Sequence, residues 1–302
     1  MKLEINNEIC LYDFQTPLLK NVIKSNLTMD NPKFSDAEYM NRSTKEIDPY
    51  LECFYEEDDA LYIPRGYGNT LCQFAAYHKE PVDFIDYRQV LPEVEFAFTG
   101  TLRPYQKTAI DDCIKEDWGV LQAPTGSGKT AMAIAIIAER KQPALIICHT
   151  KELLNQWIER IETFLGIPKE EIGIIGGGNK KIGNKITVSL VQSLYKCAED
   201  IAPHIGFLIV DECHRCPSRT FTEAVMAFDC KFMLGLSATP YRRDGLTDMI
   251  HWYLGDTLHT VNADELVEDG HLCRAEVHYR RTNFYTETDA SQYYSRALSE
   301  MT

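Results

Sequence analysis

The residues 123–130 read Ala123-Pro124-Thr125-Gly126-Ser127-Gly128-Lys129-Thr130, and further along the chain an acidic pair, Asp211-Glu212, precedes Cys213-His214. The first string has the composition of a phosphate cradle. Gly126 and Gly128 let backbone N–H groups turn inward around phosphate oxygens. Lys129 is spaced to reach the β- and γ-phosphates of a nucleoside triphosphate, and Thr130 to ligate magnesium. Asp211 follows the apolar run 207–210, so it sits at the end of a strand, where a carboxylate can hold magnesium through water. Glu212 is then placed to orient or deprotonate an attacking water. An acidic pair at a strand end is commonly only a turn, and the upstream phosphate loop is what favours chemistry here. Ser237-Ala238-Thr239 follows another apolar run, 232–236. Small hydroxyls there can bond to the acidic pair and sense its state, although Ser and Thr also serve as helix caps.

Positioning these groups requires strands and helices in alternation. From Gly100 the chain supplies them: strand-like 119–122 before helical 129–140, 144–148 before 152–164, 186–190 before 192–198, then strands 207–210 and 232–236. Continuous apolar strands separated by helices predict an α/β fold with a parallel sheet covered on both faces. Functional loops then gather at the carboxyl ends of the strands. Residues 1–98 have a different texture, rich in acids and aromatics. Apolar stretches at 51–55 and 60–63 flank Glu56-Glu57-Asp58-Asp59, which predicts a hairpin, and 71–77 reads as helical after Pro64-Arg65-Gly66. This region is expected to be a small α+β domain.

Composition limits the alternatives. Of 302 residues, 44% are hydrophobic and 25% charged, ordinary values for a globular protein. No apolar run approaches the roughly 20 residues that span a bilayer, and the start carries no signal-peptide pattern, so the expected location is cytoplasmic. Ten cysteines are scattered, several within apolar runs, which suits reduced thiols. Cys213 and Cys216 alone have metal-ligand spacing, without the second pair a zinc site needs. The net charge is −14, and residues 1–98 hold nine basic and eighteen acidic side chains. Bulk charge therefore gives no support to nucleic-acid binding, which would need a local basic strip.

The order of these segments resembles the first motor lobe of superfamily 2 helicases of the DExH type, with a RecA-like sheet. Leu102-Arg103-Pro104-Tyr105-Gln106 is similar to that family's adenine-recognition segment, which implies nucleotide contacts at Arg103 and an adenine edge read by Gln106. Residues 123–130 match motif I. His149-Thr150-Lys151-Glu152-Leu153, with Gln156-Trp157, matches motif Ia, and residues 187–194 resemble the next strand-contacting motif. Asp211-Glu212-Cys213-His214 matches motif II and Ser237-Ala238-Thr239-Pro240 motif III. The resemblance covers residues 100–245 and implies ATP and Mg2+ as cofactors, Lys129, Asp211 and Glu212 as catalytic groups, and His214, Ser237 and Thr239 as coupling groups. Within the superfamily, residues 237–245 are similar to the branch of XPB, the phage repair helicase UvsW and restriction-type translocases. XPB-like proteins often carry Arg-Glu-Asp nearby, whereas this chain has Arg242-Arg243-Asp244. Asn31-Pro32-Lys33-Phe34, the acidic hairpin and Ile63-Pro64-Arg65-Gly66 resemble the small domain that precedes the motor in UvsW-like enzymes, which implies a DNA-sensing accessory role.

The implied partner is nucleic acid, DNA in preference to RNA. Thr150, Lys151, Gln192, Ser193, Arg242 and Arg243 are the candidate contacts, since hydroxyls, amides and helix N-termini hold phosphates without reading bases. A solvated surface charge is the alternative for Lys151 and Arg243. Gly176-Gly177-Gly178-Asn179-Lys180-Lys181 is either a basic contact loop or an ordinary turn. Trp157 and Trp252 read as core or interface residues.

The expected organisation is an accessory domain at 1–98, a RecA-like lobe at 99–280 with residues 255–272 closing it, and the start of a linker or second lobe at 281–302. A helical pattern beginning near Ala290 stops at Thr302 without a cap, which suggests a piece of a longer reading frame or a split gene. The family's second RecA-like lobe, with the arginines that complete the site, has no counterpart after residue 245. Such arginines are worth about 10³–10⁵ in rate where measured. The function expected is ATP-driven helicase or translocase activity, poor in this chain alone. The alternatives are a nucleotide-switched DNA- or protein-binding module and the motor subunit of a restriction or defence complex.

Overall fold

The structure is a computed structural model that describes residues 1–215, 219–242 and 244–273. Two sheets organise it. The first has five strands in the order Tyr55–Glu57, Ala60–Pro64, Glu8–Tyr12, Lys2–Ile5, Asp83–Asp86, antiparallel except for the last pair. Alternate residues point to one face, so Leu3, Ile5, Ile9, Leu11, Leu61 and Ile63 form a core. Leu19 and Ile23 of helix Pro17–Asn26 and Leu71 of helix Gly68–Tyr77 cover it. The expected hairpin is present, but its turn is only Asp58-Asp59. Both residues have left-handed φ values, 48° and 65°, as a two-residue turn between twisted strands demands. Leu51 belongs to a separate strand, Tyr50–Glu52, paired with Thr28–Asp30.

The second sheet has eight strands in the order Asn179–Lys181, Gly173–Gly176, Ile186–Leu190, Ala144–Cys148, Phe207–Asp211, Phe232–Ser237, Trp118–Gln122, Thr257–Thr260. All neighbours are parallel except the first pair, a hairpin. Ala144–Cys148 and Phe207–Asp211 are buried along their whole length, which is why their sequences are continuously apolar. One apolar cluster packs this sheet against helices Pro104–Lys115, Lys129–Arg140 and Lys151–Leu165. A second cluster on the opposite face includes Val191, Leu194, Ile201, Ile250 and Leu254. Where one helix over 192–198 was expected, there are two short ones, Val191–Leu194 and Ala198–Ile201.

Packing changes allegiance near residue 87, ahead of the composition change at 98. Residues 88–99 run without regular structure along the second sheet: Gln89 N–H donates to Asp229 O, Val94 N–H to Lys141 O and Thr99 N–H to Phe164 O. The two sheets meet tightly at Arg65-Gly66. A Cβ at Gly66 would lie 2.5 Å from both Gly255 N and His251 O, so only glycine lets this backbone seat against the end of helix Thr247–Leu254. Arg88 bridges Asp86 and Asp117 and lies over the Trp118 ring, 4.7 Å from its centroid. Trp252 packs against the first core. The helical pattern expected from Ala290, and the expected segment 281–302, lie outside the described residues.

Candidate nucleotide site

Strand Trp118–Gln122 ends in the loop 123–128, and helix Lys129–Arg140 begins directly after it. Gly126 and Gly128 hold φ values of 86° and 84°. A Cβ at Gly128 would lie 2.5 Å from Gln106 Nε2, and one at Gly126 2.9 Å from Leu272. Both positions thus need glycine for conformation and for space. The helix starts without a side-chain cap, leaving its first N–H groups available to an anion. Ser127 Oγ is buried and has no hydrogen-bond partner among the described residues, a polar atom inside the loop that awaits one. Lys129 Nζ donates to Ala123 O at 2.9 Å, across the mouth of the loop. Pro124, Thr125 and Thr130 complete the loop and the first helical turn, and Thr130 is half-buried.

The segment before the loop braces it. Tyr105 Oη donates to Ser127 O at 2.7 Å, and Gln106 Nε2 donates to the same carbonyl at 2.9 Å. Gln106 Oε1 accepts from Arg103 N–H at 2.9 Å, closing the N-terminal turn of helix Pro104–Lys115. Gln106 thus supports the phosphate loop through its amide. The Tyr105 contact leaves no local signal in residue order.

Asp211 ends strand Phe207–Asp211, which is separated from the strand before the loop by one strand, Phe232–Ser237. The intervening strand ties the two together, since Ala123 N–H donates to Ser237 O at 2.9 Å. Asp211 is buried, and each carboxylate oxygen has a donor: Trp157 Nε1–H to Oδ2 at 2.8 Å and Glu212 N–H to Oδ1 at 2.9 Å. Burial raises its pKa, helped by the nearby Glu212 charge, while Trp157 and Lys129 act in the opposite sense. Glu212 adopts a left-handed φ of 49°, a conformation that costs energy for a residue with a side chain and recurs at functional sites.

A histidine stands between Ser237 and the acidic pair. His214 Nδ1 lies 3.1 Å from Ser237 Oγ and 3.3 Å from Glu212 Oε2. Ser237 Oγ also accepts from Thr239 N–H at 3.1 Å, while the Thr239 side chain is exposed. Burial lowers the His214 pKa, as do Arg215, Arg242 and Lys129, against the attraction of Glu212. A neutral His214 joining a carboxylate to a hydroxyl can report on changes at the acidic pair.

The nucleic-acid candidates are spread along the carboxyl edge of the sheet. Thr150 caps helix Lys151–Leu165, its hydroxyl accepting from Leu153 N–H at 3.3 Å. Lys151 lies beside the glycine turn, where a Cβ at Gly177 would stand 3.3 Å from Lys151 Cε. Gln192 Nε2 donates to His149 O at 3.5 Å, and Ser193 O accepts from Cys197 Sγ at 3.6 Å. Arg242 turns inward: Nη1 donates to His214 O at 2.7 Å, and the rest of its guanidinium holds Asp244. Arg243 and the Cys216 of the candidate zinc spacing lie outside the described residues. Among the described residues no cluster of three or more His, Cys, Asp or Glu could hold a metal.

A glycine cradle at the end of one parallel strand, facing an acidic pair at the end of the next strand but one, defines the nucleotide-binding lobe of a P-loop NTPase. Residues 99–242 match the family described as type III restriction enzyme, res subunit (ResIII). The DNA 3'-5' translocase XPB2 of Sulfurisphaera tokodaii is 36% identical over 165 residues, covering 55% of this chain and 37% of that protein. Protein L396 of Acanthamoeba polyphaga mimivirus, provisionally named an ATP-dependent RNA helicase, is 34% identical over 212 residues, covering 68% and 39%. The chain thus spans less than two fifths of these relatives. The crystal structure of the UvsW helicase from bacteriophage T4 superposes with a TM-score of 0.65 at 14% identity, covering 85% of this chain and 99% of that one. That share exceeds what residues 99–302 could supply, so the shared fold extends into the first sheet. Residues 99–242 are thus similar to the ResIII family, the chain is similar to parts of XPB2 and L396, and it shares its fold with UvsW.

Proposed function

We propose that this chain is the ATP-binding half of a nucleic-acid motor, a helicase or translocase that acts on DNA. The observation that carries the reading is the cradle of Gly126, Gly128 and Lys129 set on the next strand but one from Asp211 and Glu212, with Ser237 O of the strand between accepting from Ala123 N–H. A bound triphosphate would take the N–H groups of the loop, and Lys129 Nζ would leave Ala123 O for the phosphate oxygens. Thr130 and Asp211 suit a magnesium ion, which neutralises phosphate charge when bound. The orphaned Ser127 hydroxyl and the Cβ-free cradle fit a phosphate there. Glu212 would accept the proton of the water that attacks the γ-phosphorus, as the bond to the ADP oxygen breaks. His214 and Ser237 would pass the changed state of Glu212 to Thr239 and, through the carbonyl of His214, to Arg242.

Thr150, Lys151, Gln192, Ser193, Arg242 and Arg243 are proposed to grip the strand, and Arg103 and Gln106 to face the base of the nucleotide. DNA is preferred because XPB2 carries a DNA translocase name, although L396 carries an RNA helicase one. A second lobe on the longer protein or on another chain would complete the site. Residues 1–98 are proposed to form a DNA-sensing accessory domain, and residues 99–280 the motor lobe. A cytoplasmic setting accords with a motor of this kind. No helix among the described residues is long and apolar enough to cross a membrane.

The test is ATP hydrolysis by the longest product of the gene, with single-stranded, duplex and branched DNA and with structured RNA. Stimulation by DNA is expected, with slow, unstimulated turnover by residues 1–302 alone. A response to structured RNA and to no DNA would overturn the substrate, and a failure to bind MgATP would overturn the motor.

A further inference from the structure

We infer that Trp157 is a positioning residue for the metal-binding carboxylate, its indole N–H fixing the orientation of Asp211. The inference rests on the proposed role of Asp211 toward magnesium. Trp157 sits in the second turn of helix Lys151–Leu165, and only 2% of it is exposed. A purely apolar role at this place would be met by Phe or Leu. Instead the indole Nε1 lies 2.8 Å from Asp211 Oδ2 inside the protein. The other oxygen, Oδ1, accepts from Glu212 N–H at 2.9 Å. A carboxylate held by one donor on each oxygen cannot rotate without breaking a bond, and its remaining lone pairs keep a fixed direction. Partners that orient a ligand in this way set how well it serves the metal.

The contact also joins distant parts of the chain. Trp157 and Asp211 are 54 positions apart, on a helix and on a strand that share one apolar cluster. The helix is capped by Thr150 and packed along one face, so the indole is presented by regular secondary structure, not by a loop. Leu154, Ile158 and Ile161 of the same helix are buried beside it and hold its rotation.

The test uses the whole chain and a fluorescent ADP analogue, titrated once in EDTA and once with Mg2+. Trp157→Phe keeps an aromatic ring and removes the donor. In EDTA the variant is expected to bind the analogue within about twofold of wild type. With Mg2+ it is expected to lose about tenfold in affinity, the low end for loss of an orienting partner. In an Asp211→Asn background the same substitution should have no further effect on the magnesium dependence. Replacing Trp157 by β-(3-benzothienyl)alanine, which keeps the bicyclic shape and lacks the N–H, should reproduce the loss even if Trp157→Phe folds poorly. Magnesium-dependent binding unchanged in the benzothienyl protein would overturn the inference, as would equal losses in EDTA and in Mg2+. Wild type that bound no nucleotide under either condition would instead sink the proposed function itself.

Discussion

Arg65 Nη1 donates to the backbone carbonyl of Cys230 at 2.7 Å, across 165 positions of sequence. The guanidinium leaves the first sheet and ends inside the second, where Nη2 also reaches Met233 Sδ at 3.3 Å. Arg65 is 3% exposed, and burial lowers its pKa, with the Arg88 charge adding to that and the nearby Cys230 and Asp229 opposing. It accepts this cost as the tie between the two sheets. Arg65→Ala should destabilise the protein by about 2–4 kcal/mol, by leaving a cavity and a carbonyl without its donor. Arg65→Met, which fills the space, should recover much of that loss. Urea midpoints of the three proteins decide it, and an Ala variant as stable as wild type would dismiss the tie.

Among the described residues, the hydrogen bond that holds Lys129 Nζ is the one to Ala123 O. Lys129→Ala should therefore leave thermal unfolding nearly unchanged. Loss of its charge-assisted bonds to phosphate should weaken MgATP binding by about 10–100-fold. Calorimetric titration beside a melting curve separates the two effects.

Glu212 carries its carboxylate on a left-handed backbone, 3.3 Å from His214 Nδ1. Glu212→Gln keeps the shape and removes the base. Nucleotide affinity should stay within about twofold, while hydrolysis in a form that includes a second lobe should fall by about 10²–10⁴. Rapid-quench measurement of phosphate release is the check, and normal hydrolysis would remove Glu212 from the role of base.

Glu80 is wholly enclosed in the first sheet's domain. Its Oε1 lies 2.8 Å from the Met1 amine, and the N–H groups of Gln15 and Thr16 donate to its two oxygens at 2.8 Å each. Burial alone would raise its pKa, but these donors and the amine hold it down to about 2. A depressed carboxyl contributes stability above its unfolded value, near 4.5, and that contribution is lost as the pH falls toward 2. Wild type should thus lose stability between pH 4.5 and 2 more steeply than Glu80→Gln, which should start lower at pH 7. Urea unfolding across that range is the measurement, and parallel curves for the two proteins would count against the assignment.

Some elements are legible in residue order because their signals are local. Helix Lys129–Arg140 has the bounds expected of it, since glycines precede it and an apolar stripe runs through it. Strands Ala144–Cys148 and Ile186–Leu190 also match, the first as an apolar run and the second as an alternation of apolar and hydroxyl residues. In the second sheet, three strands lack such a signal: Gly173–Gly176, Asn179–Lys181 and Thr257–Thr260. The first two carry glycine or lysine and the third is an edge strand with a polar pattern, so each owes its strand state to a neighbour. The split near Cys197 leaves no local signal either.

The chemistry of the site was written locally: a glycine cradle with its lysine, and an acidic pair behind an apolar strand, each recognisable from neighbours within a few residues. Tertiary structure alone decided that His214 stands between Glu212 and Ser237, that Gln106 and Tyr105 brace Ser127, and that Trp157 holds Asp211. Backbone preferences and periodicity act over a few residues and leave their mark in residue order. A hydrogen bond between side chains many positions apart exists only once a sheet has brought their strands and helices together.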